Sequence, residues 1–370
     1  MRQNQLKALN ECRRIVIKVG TGLLADERGF RPEMIESLAR EIQFLKKNGR
    51  QVILVSSGAV GAGREVLKKR KDYEPLAEPG ISRKQALAAI GQVHLISEYS
   101  RIFAGAGIHT AQLLFSARDF RDRRAYLNIG HTLNELLALD IVPIINENDT
   151  VSTEELRFGD NDMLSAACAG LFHADCLIIL TTVEGFLREG TRIPFIEHVD
   201  DDVLSFAGGP TGPGSGGMRT KMEAARLGQK VGHFTAILPG RVESPIQALM
   251  RGEDLGTLIV PFSEPQRKLA ARKKWILYVP GEGRLIVDDG ARKALLEKGA
   301  SLLSAGVQEY SGNFRQGDVV EIMDGVGTVL ARGLSSIPSD ALESLIGSGS
   351  SAEVIHRDNL ILDPHPGFHP

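Results

Sequence analysis

Four short apolar runs constrain this chain more than any other feature: RIVIKV at 14–19, QVILV at 51–55, IVPII at 141–145 and CLIIL at 176–180. Runs of this kind, rich in Ile and Val and without polar alternation, read as strands buried on both faces. Helix patterns separate them. Met34, Ile35, Leu38, Ile42 and Leu45 recur at helical spacing after Pro32, and Asn48-Gly49 stops that stretch. Arg83–Phe103 and Arg124–Leu139 also read as helices, with Thr110–Phe115 and Thr235–Leu238 as further strands. Alternation of strand and helix predicts an α/β fold around a mostly parallel central sheet.

Ligands of such open sheets bind beyond the carboxyl ends of the strands. Four strand ends here carry small or polar residues: Gly20-Thr21-Gly22, Ser57-Gly58, Asn146–Asp149 and Thr181-Thr182. Lys18 stands just before the first of these. It reads either as an ammonium beside a glycine-lined phosphate site or as an edge lysine reaching for water. There is no Walker A ending of Gly-Lys-Ser/Thr. Ser57 and Gly58 suit either an anion site or a helix cap. Asn146-Glu147-Asn148-Asp149 and Asp160-Asn161-Asp162 gather acidic and amide groups, which suit an amino group or a hydrated Mg²⁺. The second patch also reads as the dipole-matched start of a helix. Gly208–Gly217 reads as a linker or, because it runs into Met218-Arg219-Thr220-Lys221 and a helix pattern, as a second phosphate loop.

The chain has 370 residues, enough for two domains with separate cores. After about residue 265 the pattern changes. A basic stretch (Arg267, Lys268, Arg272, Lys273, Lys274) is followed by short strand signals at Trp275–Val279, Gly283–Val287, Val319–Met323 and Gly327–Ala331, with one helix at Gly290–Lys298. This predicts a small β-rich second domain. From Trp275 onward there are 7 Lys and Arg against 13 Asp and Glu. That acidic balance, and a whole-chain net charge of −2, argue against RNA or an anionic membrane as the main partner. Cys12, Cys168 and Cys176 have neither metal-site spacing nor an even number for disulfides. The N-terminus has no signal-peptide pattern and no run is long enough to span a bilayer. The expected location is the cytoplasm.

IKVGTGLL at 17–24, LVSSGAVGAGR at 54–64, PIINENDTV at 143–151, FGDNDMLSA at 158–166 and GSGGMRTKMEAA at 214–225, taken together, resemble the glutamate 5-kinases of the amino-acid kinase superfamily. WILYVPGEGRLIVDDGARKALLEKGASLLSAGV at 275–307 and GNFRQGDVVEI at 312–322 resemble a PUA domain. The resemblance implies a three-layer kinase sandwich over 1–265, a basic linker at 266–274 and a PUA-like barrel over 275–362. It implies ATP and Mg²⁺ as cofactors, L-glutamate as substrate, proline as a feedback inhibitor and a dimer or tetramer. Carried over residue by residue, Lys18 and Lys221 would act on the transferring phosphoryl group. Ser57, Asp149 and Asn161 would bind glutamate, and Asp160 and Asp162 would hold the substrate amine or Mg²⁺. Thr181, Thr182, Ser215, Gly216, Gly217, Met218, Arg219, Thr220 and Lys221 would contact the nucleotide. One departure stands out: the family usually has Thr-Asp where this chain has Thr181-Thr182, and the loop to Pro194 is short. A related kinase for another carboxylate, or an RNA-binding protein acting through the PUA-like part, is the alternative.

Overall fold

The computed structural model describes residues 2–26, 29–70, 80–151, 161–208, 217–262, 271–279 and 281–363. It separates into two compact units, 1–262 and 263–370.

The first unit is built on an eight-stranded sheet. Its strands in chain order are β1 (Arg14–Val19), β2 (Gln51–Val55), β3 (Thr110–Phe115), β4 (Val142–Glu147), β5 (Cys176–Thr181), β6 (Phe195–Ile196), β7 (Phe234–Pro239) and β8 (Thr257–Ile259). Their spatial order is β6-β8-β7-β5-β1-β2-β4-β3. All neighbours run parallel except β7 and β8. Around it pack α1 (Pro32–Lys47), α2 (Ala59–Lys68), α3 (Ile81–Gly105), α4 (Arg123–Ala138), α5 (Asn161–Leu171), α6 (Met218–Val231) and α7 (Pro245–Met250).

The sheet's period of two sorts β1 between the two faces. Ile15, Ile17 and Val19 join one core cluster with Ile35, Leu38 and Ile42 of α1. Lys18 therefore points to the opposite face, beside Val55 of β2 and Ile179 of β5 in the register. The apolar runs appear as strands, with β4 continuing through Asn146 and Glu147 and β5 through Thr181. The short loop after β5 contains a hairpin, Leu187–Arg188 paired with Thr191–Arg192. It turns on Glu189 and Gly190, both at positive φ.

The second unit holds β9 (Gly283–Val287), β10 (Leu302–Leu303), β11 (Val307–Gly312), β12 (Val319–Met323), β13 (Val329–Leu334), β14 (Glu353–Ile355) and β15 (Leu360–Leu362). Five of these form a mostly antiparallel sheet, β11-β9-β12-β13-β15, and β10 pairs with β14. The unit has its own core, including Leu285, Phe314, Ile322 and Leu330. One expectation is corrected here. Trp275–Val279 is not a strand: it continues the basic residues before it as helix α8 (Ala271–Tyr278). A wholly apolar pentapeptide carries no period that separates a strand from a buried helix. The tertiary structure decides it, because Arg332 on β13 donates through Nη1 to the Ile276 and Leu277 carbonyls at 3.5 and 2.9 Å. Those carbonyls lie at the helix end and lack intrahelical partners.

Candidate active site

The carboxyl ends of β1, β2, β4 and β5 meet where the helices α2, α5 and α6 begin. Asp162, in the first turn of α5, is fully buried and is held from two directions. Lys18 Nζ lies 2.6 Å from its Oδ1 and Lys221 Nζ lies 3.0 Å from its Oδ2. Both lysines are buried as well. Thr220 Oγ1 donates to the same Oδ2 at 2.8 Å. Lys221 and Thr220 also donate to the Gly217 carbonyl at 3.2 and 3.0 Å. The first turn of α6 is thereby tied to both α5 and the glycine that precedes it. Burying a charge is costly unless it is paired. One carboxylate between two ammonium groups leaves these three residues with one positive charge in excess.

Beside this bridge runs a chain of amides. Asn161 Nδ2 donates to the Ser56 carbonyl at 3.0 Å, to Ser57 Oγ at 3.0 Å and to Asn146 Oδ1 at 3.2 Å. Asn146 Nδ2 in turn donates to Gln92 Oε1 of α3 at 2.8 Å. Asn161 Oδ1 is buried and accepts no hydrogen bond among the described residues. Buried acceptors are almost always satisfied, so this oxygen marks a place where a donor belongs.

Gly58, at φ 92°, turns the chain from β2 into α2. Ser57 beside it is buried. Tyr99 of α3 backs the turn through a 3.1 Å bond between its hydroxyl and Ser56 Oγ. Burial pushes that phenol well above its ordinary range, so the hydroxyl stays neutral. A pocket of about 320 Å³ opens between α3, β3 and the end of β4. Ala88, Val93 and Leu114 form an apolar wall, and Glu147 and Asp149 lie on the polar side.

The residues singled out by sequence are thus unequally placed. Lys18, Lys221, Thr220, Asp162, Asn161, Ser57 and Gly217 form one connected array. Asp149 lines the neighbouring pocket. Thr181 is buried at the end of β5, its carbonyl accepting the Gly240 N–H at 2.8 Å. Thr182 is exposed, and a Cβ on Gly22 would sit 3.2 Å from its Cγ2, so the first and fourth strand ends are neighbours. Met218 is half-buried and Arg219 exposed, with Arg219 paired to Glu223. Asp160, Ser215 and Gly216 lie outside the described residues. Asp162, expected to hold the substrate amine or Mg²⁺, is paired through its two oxygens with Lys18 and Lys221. Gln92 was missed. A half-buried glutamine on an amphipathic helix carries no signal of its own, and only the folded partner reveals it.

A mostly parallel sheet with glycine turns and a buried lysine pair at the carboxyl ends of its strands defines the class, an α/β enzyme. The chain belongs to the amino acid kinase family, whose sequence profile matches residues 13–233. A PUA domain profile matches residues 283–357. Its relatives within the family include glutamate 5-kinases. The chain is 41% identical to that of Caldanaerobacter subterraneus subsp. tengcongensis, over 94% of this chain and 97% of the relative. It is 40% identical to that of Dictyoglomus thermophilum over 96% and 98%. It is 41% identical to that of Pseudomonas entomophila over 94% and 97%.

Proposed function

We infer that this chain transfers the γ-phosphoryl group of ATP to the side-chain carboxylate of L-glutamate, yielding L-glutamyl 5-phosphate and ADP, the first step of proline biosynthesis. Full-length relatedness to glutamate 5-kinases supports the reaction. The observation that carries the assignment of residues is the Lys18–Asp162–Lys221 bridge.

The nucleophile is a carboxylate with a reference pKa near 4.3, so it is ionised at neutral pH and needs no general base. The task left to the protein is to bring two anions into line and to neutralise charge on the transferring group. Lys18 and Lys221 do this, and Asp162 holds both ammoniums at a fixed spacing. Gly217 and the residues up to Thr220, with Ser215 and Gly216 before them, bind the nucleotide, and Thr181 and Thr182 lie on its adenine side. Ser57, Asp149 and Asn161 bind glutamate, and Asp160 is assigned with Asp162 to the substrate amine or Mg²⁺. The unsatisfied Asn161 Oδ1 suits the substrate's ammonium group. Among the described residues no three His, Cys, Asp or Glu side chains converge as a metal cage. In this reading Mg²⁺ would arrive with the nucleotide and offset phosphate charge, and no step here is routed through it.

The same reading includes proline as a feedback inhibitor and self-association. Three buried free cysteines support a reducing cytoplasm, and no helix among the described residues is long and apolar enough to cross a membrane. RNA is not assigned as a partner, because the chain from Trp275 onward carries 7 Lys and Arg against 13 Asp and Glu. The test is ADP release with L-glutamate, L-aspartate and N-acetyl-L-glutamate side by side. Glutamate should be turned over with the highest kcat/KM, and preference for either competitor would overturn the assignment.

A further inference from the structure

The turns after β1, β5 and β7 are locked together at the carboxyl edge of the sheet. Gly20 N–H donates to the Leu180 carbonyl at 3.2 Å, and Gly240 N–H donates to the Thr181 carbonyl at 2.8 Å. A Cβ on Gly240 would run into Leu23, in the turn after β1, and would touch Leu180 at 3.3 Å. Pro239 is paired with Thr181 in the register, so the next residues, Gly240 and Thr182, stand side by side. A tight turn follows, closed by the Val242 N–H on the Pro239 carbonyl at 3.3 Å, and it carries Arg241 exposed at its tip. Exposed arginines are ordinary; this one differs in its rigid seat and in its lack of a partner. Arg241 makes no ion pair and no side-chain hydrogen bond. The other basic residues around this edge, among the described residues, are all paired. After β5, Arg188 meets Asp202 and Arg192 meets Asp254. At the start of α6, Arg219 meets Glu223 and Lys221 meets Asp162.

We propose that Arg241 binds the α- and β-phosphates of the nucleotide and sets its affinity, without acting on the transferring group. The proposal rests on the reading that ATP binds along this edge. ATP carries roughly four negative charges near neutral pH, and its Mg²⁺ offsets two of them. The Lys18–Asp162–Lys221 bridge has one positive charge in excess, which leaves one negative charge for another cation. Arg241 is the cation this side of the edge has to spare. Its place in the sheet decides which phosphates it meets. β5 separates β7 from β1, and neighbouring strands lie about 4.8 Å apart, so the Arg241 turn stands about 10 Å along the edge from Lys18. That spacing suits the phosphates that stay with ADP and not the one that leaves. A guanidinium can fork onto two phosphate oxygens at once. Because Arg241 is exposed, salt screens its attraction, whereas the buried lysine bridge is largely spared.

The experiment measures the Kd of ADP with Mg²⁺ by calorimetry, and the steady-state constants, for the full chain as wild type, Arg241→Gln and Arg241→Lys. Each protein is first shown to be folded by its thermal transition. Arg241→Gln should weaken ADP binding about tenfold at low salt, the effect of one lost charge-assisted contact. KM for ATP should rise alike, with kcat and KM for glutamate within about twofold. Arg241→Lys keeps the charge and should recover most of the loss. The ratio of the Arg241→Gln and wild-type Kd values should shrink below about threefold as salt rises from about 0.05 to 0.5 M. A purely structural role would leave that ratio unchanged. Equal ADP affinity in wild type and Arg241→Gln, or a tenfold loss that salt does not alter, overturns the proposal. So does a tenfold fall in kcat with KM for ATP unchanged, which would place Arg241 on the transferring group. A wild type that binds no ADP overturns the nucleotide reading itself, and the role of Arg241 with it.

Discussion

At Asp162, two lysines from distant parts of the chain share one carboxylate, and the energetics of the site follow from that sharing. A buried ammonium with no partner would shed its proton or pull in water. Here the carboxylate pairs with both ammonium groups, at 2.6 and 3.0 Å. Lys18→Ala or Lys221→Ala should therefore lower kcat by at least about a hundredfold, equivalent to about 2.7 kcal/mol of lost transition-state stabilisation. Near-normal kcat in either folded variant would remove that lysine from the mechanism. A second buried carboxylate works differently. Glu41 of α1 accepts from the amides of Ile246 and Gln247 at 3.1 and 3.3 Å. It caps α7 because Ser244, at φ 51°, makes no side-chain cap of its own. Burial pushes this carboxyl above the ordinary value of 4.5, and the amide bonds do not fully offset it. The folded chain thus holds that proton more tightly than the unfolded chain. The stability linked to it is complete below the ordinary value and is lost as pH rises through the raised one. Glu41→Gln lacks this titration, so the Tm of the wild type relative to the variant should fall as pH climbs from 4.5. A Tm difference that is flat with pH, or that grows, would mean burial does not govern this carboxyl.

Among the elements, the α2–α3 pair walls the pocket beside the lysine bridge. A Cβ on Gly63 would run into the Leu87 carbonyl, and one on Gly91 into the Ala59 carbonyl. The two helices therefore cross backbone to backbone, and no flexible side chain stands between them to give way. That close crossing sets Gln92 next to Asn146 and places the start of α2 beside Ser57. Gly91→Ala should destabilise the protein by about 1–3 kcal/mol, the usual cost of overpacking, read as a lower midpoint in denaturant. A variant as stable as the wild type would show that α3 can shift without strain. The alanine's better helix propensity, about 1 kcal/mol, opposes the effect and is too small to cancel a backbone clash.

At the scale of the whole chain, each unit closes its own hydrophobic core, the first around the parallel sheet and the second around Leu285, Phe314 and Ile322. The proposed catalytic residues all precede residue 263. A chain ending at Phe262 should fold and phosphorylate glutamate with kcat within about tenfold of the full chain, a difference of about 1.4 kcal/mol in barrier. A folded truncation without activity would show that the second unit takes part in catalysis.

The apolar runs were enough to specify the parallel sheet, because strands buried on both faces must be apolar throughout and few other arrangements accept four of them. The glycine and lysine positions likewise fall at strand ends, since backbone turns and buried cations impose their residue types locally. Polar networks are different. Lys18 meets Asp162 across 144 positions of chain, and Asn146 meets Gln92 across 54. No spacing rule encodes such pairs, so the two lysines on Asp162 could not be read from the sequence. The same holds for Trp275–Val279, whose residues allow strand or helix equally. The Arg332 guanidinium, waiting on a strand formed some fifty residues later, satisfies carbonyls that only a helix end leaves open.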